Sequence, residues 1–273
     1  MPSLESFEDG RPSYKCVECK SALSPSKLPG LNFAMNPYRG CAHGCAYCYA
    51  PYVMRVPMAE WTKVSVKENM PAVLAREVPR PGVVGLGTVT DPYQPLEKAT
   101  CLTRRCLEVL RKAETATSVL TKSALVTRDL DILRRMKAVE VGITVTTIDD
   151  ELGKALEPGA SLQSERLRAA RELVDAGVPT YIFLGPIIPL VTDDRLDDLI
   201  SAIADTGVKR VMADRLNLRP GMGARITEAL ARADPSLAER AAPLLDDPAF
   251  YEPTISKTEQ KGRGKGLDIV KAF

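Results

Sequence analysis

Cys41, Cys45 and Cys48 lie within eight residues, in the spacing Cys-x3-Cys-x2-Cys. Thiolates are soft ligands, and three so close together point to zinc or an iron–sulfur cluster. Gly40 and Gly44 free the backbone to curl the three sulfurs toward one point. Pro37 and Pro51 bracket the segment and argue against one continuous helix. Zinc wants a fourth ligand. His43, the only histidine in the chain, sits inside the tight loop between Cys41 and Cys45, where reaching the same ion is awkward. A [4Fe–4S] cluster on three cysteines keeps one iron open, which is what chemistry needs. Three buried structural cysteines would be the reading without metal.

Cys-x3-Cys-x-aromatic-Cys, with Tyr47 as the aromatic, resembles the signature of radical S-adenosylmethionine (SAM) enzymes. The wider string, Asn36-Pro37-Tyr38-Arg39-Gly40-Cys41 through Cys48-Tyr49-Ala50, resembles the branch that contains spore photoproduct lyase. The resemblance covers roughly residues 20–220. It implies a partial barrel, a [4Fe–4S] cluster, SAM, and a reducing protein such as ferredoxin or flavodoxin. The implied reaction is reductive cleavage of SAM to a 5′-deoxyadenosyl radical that takes hydrogen from a substrate. Nucleic acid, nucleotide, peptide and small metabolite all remain open as that substrate. Two other functions stand beside this one: lyase-like DNA repair with a different hydrogen donor, and a metal-binding module without catalysis.

The same resemblance implies roles for particular residues. Tyr47 would lie near adenine, and Tyr49 matches a tyrosine proposed to relay a hydrogen atom. Thr88, Thr90 and Asp91 fall where the SAM amino group is contacted, with Thr90 as the hydroxyl ligand. Lys122 would meet the SAM carboxylate, and Gly185 would lie on the adenine side. One departure matters. The lyase carries a hydrogen-donating cysteine three residues before the aspartate matching Asp91, and Thr88 stands there in this chain. A hydroxyl is a far poorer hydrogen-atom donor than a thiol, which argues against thymine-dimer repair.

The elements that must hold these groups alternate between the two periodicities. Strands are expected over 31–35, 82–88, 118–123, 139–147, 178–188 and 208–218. Helices are expected over 66–78, 102–113, 128–137, 161–176 and 193–206, with Gly177 and Gly207 as stops. Further helices are expected over 222–233 and 234–245, the latter with Asp234 as its cap. Repeated β/α alternation with short loops implies a parallel sheet with right-handed crossovers. About six such units are too few for a closed eightfold barrel. The expected fold is therefore α/β, a partial (β/α)6 TIM-like barrel, with a doubly wound open sheet as the alternative. Either way the site should lie at the carboxyl ends of the strands. Thr90 and Asp91, Lys122, and Thr144 and Thr146 all sit at such ends. Strand alternation turns Thr144 and Thr146 to one face.

Composition sets the outer limits. The chain has 273 residues, 26% charged and 45% hydrophobic, with a net charge of +2. That is ordinary globular composition and offers no electrostatic argument for nucleic acid. No run of 18 apolar residues exists, so no membrane span is expected, and residues 1–30 are too polar for a secretory signal. A cytoplasmic enzyme is the expectation. The chain divides into an arm over 1–30, a barrel over 31–220, and a helical extension with a basic tail over 221–273. The tail beyond Lys257 reads as solvated and mobile. Cys16 and Cys19 form a ligand-like pair that could hold zinc, alone or with Cys101 and Cys106. The last two are about 140° apart around a helix, and Cys106 falls on its apolar stripe.

Overall fold

The computed structural model describes residues 14–272 and the backbone of Phe7–Glu8 and Arg11–Pro12, two short antiparallel strands. The remainder of the expected arm over residues 1–13 lies outside the described residues.

The chain first forms β1 (Lys15–Val17), β2 (Ser24–Pro25), β3 (Phe33–Met35) and β4 (Tyr38–Arg39). Helix α1 (Ala50–Met54), β5 (Ser65–Lys67), α2 (Met70–Glu77) and β6 (Val84–Leu86) follow. Then come α3 (Leu102–Lys112), β7 (Thr117–Thr121), β8 (Val139–Thr144), α4 (Asp150–Leu156) and α5 (Gln163–Asp175). The last third holds β9 (Thr180–Ile187), α6 (Leu196–Asp205), β10 (Arg210–Arg215), α7 (Met222–Ala233), α8 (Pro235–Ala241), α9 (Pro248–Arg263) and β11 (Asp268–Lys271).

The main sheet has eight strands in the order β11-β10-β9-β8-β7-β6-β3-β2. All neighbours are parallel except β2, which runs antiparallel to β3. Its first and last strands do not pair, so the barrel stays partial and open. The smaller sheet, β1-β5-β4, ties the arm beside the cysteine loop.

Register decides which side chains face inward. Leu120, Gly142 and Tyr181 lie opposite one another across β7, β8 and β9. Two residues on, Thr144, Phe183 and Met212 do the same. The alternate residues Val119, Val141, Ile143, Ile182, Leu184 and Val211 are buried against Leu107, Leu110, Leu173, Leu199 and Ile203 of the helices. One face of the sheet is therefore an ordinary apolar helix-packed layer, and the other lines the barrel. This arrangement favours the partial barrel over the doubly wound sheet. Continuing the alternation puts Lys122, Thr146 and Asp214 at the mouth.

Several expected elements differ from the observed ones. The helix expected over 66–78 begins at Met70, because Ser65–Lys67 pairs as β5. The helix expected over 128–137 is instead a 3-10 stretch, Ala124–Asp129, and one turn, Leu130–Leu133. Ser123, whose hydroxyl accepts from the Leu125 amide, starts it. Asp129 precedes the Leu130–Leu133 turn without capping it by its side chain; its wholly buried carboxylate accepts from Tyr93, Arg104 and Arg128. The tail from Lys257 is no loose strip. It completes α9 and supplies β11, a seventh parallel strand that hydrogen-bonds to β10. Ile269 packs into the core beside Ile187, Ala213 and Ile255. Alternation over four residues was too short a signal beside the lysines and glycines around it. Helix α4, capped by Asp149 at the Glu151 and Leu152 amides, was likewise not anticipated. Among the described residues, no helix is long and apolar enough to cross a membrane.

Candidate metal centre and cofactor cradle

The cysteine loop is held open by its neighbours' polar groups. Gly40 has φ +85, and a Cβ there would meet the Trp61 carbonyl at 2.6 Å, so only glycine fits. The Cys41 amide donates to that same carbonyl at 2.9 Å. Gln94, with no exposed surface, staples the loop by donating to the Gly40 carbonyl and accepting from the Ala42 amide. The Ala46 amide donates to Leu156 O, and the Gly159 amide to His43 O. Arg225 of α7 clamps the far side, donating to the carbonyls of Ala46 and Cys48 and to the Tyr52 hydroxyl.

Cys41 and Cys45 are buried and Cys48 partly so. Burial pushes the Cys41 thiol up to about 12, the Cys45 thiol well above its usual range, and Cys48 upward as well. The Cys48 charge raises both Cys41 and Cys45, and the Cys41 charge raises Cys45. Three buried thiolates are costly unless a cationic centre draws off their charge. Among the described residues, no three Cys, His, Asp or Glu side chains converge as ligands of one metal ion. A cluster, by contrast, is gripped at separate corners.

His43 is 2% exposed and faces Asp91, with Nδ1 3.5 Å from Oδ2, and not the thiols. Burial lowers its pKa to about 4, so it is neutral at neutral pH. Asp91 is occupied in turning the chain. Its carboxylate accepts from the Tyr93 amide, the Thr121 hydroxyl and the Lys122 amide at 2.7–2.8 Å, tying the end of β6 to the end of β7. Thr88 and Thr90 gather on Asn36, whose side-chain oxygen accepts from both hydroxyls and from the Thr90 amide. Thr88's carbonyl accepts from the Tyr49 hydroxyl at 2.6 Å, so Tyr49 lies across the end of β6 while remaining 45% exposed.

Lys122 holds its ammonium 5.7 Å from the Tyr47 ring centroid, with no carboxylate paired to it among the described residues. Its charge bears on the Cys45 and Cys48 thiols, opposing the effect of burial. The Tyr47 hydroxyl donates to Glu157, which Arg166 and Gln163 also hold. Gln163 in turn donates to the Thr146 hydroxyl at 3.2 Å. The Thr144 hydroxyl is fully buried and has no partner. A buried hydroxyl of that kind costs free energy unless something binds it. Gly185 is buried on β9, where a Cβ would collide with the Phe183 ring.

All the residues singled out from the sequence thus fall along the carboxyl-end rim, but they do different things. Lys122 and Thr144 retain free polar capacity. Thr90, Asp91 and Thr146 are engaged by the protein. Sequence reading missed Asn36, Gln94, Glu157, Gln163, Arg166 and Arg225. Of these, Asn36 lay in the string around the cysteines and Gln94 in the polar stretch that ends β6; the others are brought in by long-range folding. It also missed Asp214, whose carboxyl is pushed up to about 6 by burial and acts on the Tyr49 hydroxyl. Cys16 is exposed, Cys19 bonds to Asn69, and Cys106 is core; they do not assemble a four-cysteine site.

Comparison with known proteins agrees with this picture. The family model described as Radical SAM superfamily matches residues 35–203. A protein of Mycobacterium tuberculosis described as uncharacterised is 34% identical over 87% of this chain and 75% of its own length. One from Methanocaldococcus jannaschii, also described as uncharacterised, is 35% identical over 65% of this chain and 68% of its own. A spore photoproduct lyase mutant solved with bound AdoMet and dinucleoside spore photoproduct shares the fold at TM-score 0.68. It has 15% identity and covers 93% of this chain and 80% of that chain. The chain belongs to the radical SAM superfamily, enzymes that use a [4Fe–4S] cluster and S-adenosylmethionine.

Proposed function

We propose that Cys41, Cys45 and Cys48 hold the cluster and that Lys122, Thr144 and Tyr47 cradle SAM beside it. The observation that carries this is unused polar capacity at the strand ends: among the described residues, a lysine whose charge bears on two of the thiols has no paired carboxylate, and a buried threonine hydroxyl has no partner. The donor set fits both groups. Three soft thiolates suit a cubane with one open iron, and an ammonium suits a carboxylate. When bound, cluster and SAM together supply reductive cleavage of SAM and a 5′-deoxyadenosyl radical able to take hydrogen from a substrate.

The protein's part is binding, orientation and exclusion of water. Lys122 neutralises and positions the SAM carboxylate, and Thr144 donates or accepts a hydrogen bond from the carboxyl end of β8. Tyr47 is locked by the Glu157 bond, so its ring offers a fixed wall to adenine, with Gly185 assigned to the adenine side. Thr88, Thr90 and Asp91 shape the rim through Asn36 and the turn. Tyr49, half exposed at the mouth, is the residue placed to meet substrate and to pass a hydrogen atom. Substrate enters through the open side, and a ferredoxin or flavodoxin supplies the electron.

Anoxic reconstitution tests this directly. Replacing Cys41, Cys45 or Cys48 singly with Ala should abolish the cluster's visible absorbance, and Lys122→Ala should weaken SAM binding at least tenfold by calorimetry with the cluster intact. Full iron loading in the three cysteine variants would sink the ligand assignment.

A further inference from the structure

Trp61 is the only tryptophan in the chain. It lies just after α1, 2% exposed, in a small apolar cluster with Cys41 and Ala50 against which Cys48 packs. Its backbone carbonyl already serves the loop by accepting from the Cys41 amide. Its indole N–H, however, is buried without a hydrogen-bond partner among the described residues. Leaving such a donor unpaired costs stability. Phenylalanine would supply an apolar ring there without that cost. Cys48 packs against that apolar cluster, and while burial raises the pKa of its thiol the Trp61 side chain lowers it, which makes the Cys48 sulfur the candidate acceptor. A neutral thiol accepts weakly, whereas an iron-bound thiolate carries negative charge and accepts well.

We propose that the Trp61 indole N–H donates a hydrogen bond to the Cys48 sulfur when that sulfur ligates the cluster, raising the cluster's reduction potential. The inference rests on the ligand assignment proposed above. Its physical basis is simple. Adding an electron increases negative charge on the sulfurs, so a fixed donor stabilises the reduced cluster more than the oxidised one. Trp61 touches no substrate. It is a positioning residue that makes the cluster easier to reduce while its carbonyl holds the loop.

Trp61→Phe keeps an aromatic ring, smaller than the indole, and deletes the N–H. Iron content and visible absorbance of wild type and variant are measured first, then the midpoint of the cluster by EPR-monitored titration with dithionite. The expected result is full loading in both and a lower midpoint in the variant. A tenfold loss in the reduction equilibrium corresponds to about 59 mV for a one-electron couple. An unchanged midpoint at full loading would overturn the proposal. A second measurement does not depend on how the variant folds. Tryptophan labelled with 15N in the indole ring marks a single site in the wild-type protein. Pulsed EPR of the reduced cluster should then show coupling to one 15N and to one exchangeable proton, and absence of both would overturn the proposal. Failure of the wild-type protein to bind iron would instead remove the ligand assignment on which it rests.

Discussion

Glu157 and Arg166 are a carboxylate and a guanidinium with 1% exposure each, joined to one another beneath the cofactor cradle. Burial pushes the Glu157 carboxyl upward even though Arg166 and Gln163 oppose it. Removing one partner of such a pair strands the other charge. Arg166→Met should therefore cost about 3–5 kcal/mol by denaturant unfolding, far more than the loss of any surface pair. Asp214 is a different case, since burial raises its carboxyl to about 6 and only Arg215 opposes that. The folded protein holds this proton more tightly than the unfolded chain does. Stability contributed here is greatest below about pH 4, the unfolded value, and is lost as pH rises through about 6. Asp214→Asn should thus stabilise the protein at pH 8 by on the order of 1–2 kcal/mol, discounted for partial solvation, and by almost nothing at pH 4. Equal gains at both pH values would contradict the ionisation argument. At this scale the thiols were legible because three of them shared one loop, and Lys122 and Thr144 because a strand end marks a rim. Glu157 and Arg166 were not, since nothing local distinguishes them from surface charges on α4 and α5.

Elements position these residues through close approaches that only certain side chains permit. Gly87 ends β6 at φ +90, and a Cβ there would sit 2.1 Å from the Leu120 carbonyl of β7. Gly87→Ala combines a left-handed conformation with a backbone clash and should cost roughly 3 kcal/mol. It should also weaken SAM binding, because the turn carrying Thr88, Thr90 and Asp91 starts there. At the other edge, β11 is paired to β10 by the Met212–Val270 and Ala213–Lys271 register. Ile269→Ala should lower stability by roughly 2 kcal/mol, where a mobile tail would leave it unchanged. Strands of the barrel were readable because β-branched runs alternate with amphipathic helices such as α3, whose Leu102, Cys106, Leu107 and Leu110 are all buried. Helix α9 was not, because Pro253 lies within it and its buried face consists of Tyr251, Thr254, Ile255, Thr258 and Gly262. Threonines and a glycine carry no clear apolar period.

Across the described residues, the seven parallel strands of the open sheet direct their carboxyl ends toward one rim, where the cysteine loop closes over it. Helix α7 reaches that loop through Arg225, so the segment beyond 220 is part of the site's wall. Lys122, whose charge bears on the Cys45 and Cys48 thiols, and the buried Thr144 hydroxyl lie at strand ends on that rim, where the exposed Tyr49 donates to the Thr88 carbonyl. Such a layout suits the proposed role of holding a charged cofactor against a cluster while admitting a substrate from the open side. The measurement that bears on this most directly is SAM turnover by anoxically reconstituted protein reduced with dithionite, with 5′-deoxyadenosine quantified and Cys45→Ala as control. The account predicts 5′-deoxyadenosine from the wild-type protein and none from the variant. Its absence from wild-type protein with a fully loaded, reduced cluster and bound SAM would contradict the proposed chemistry.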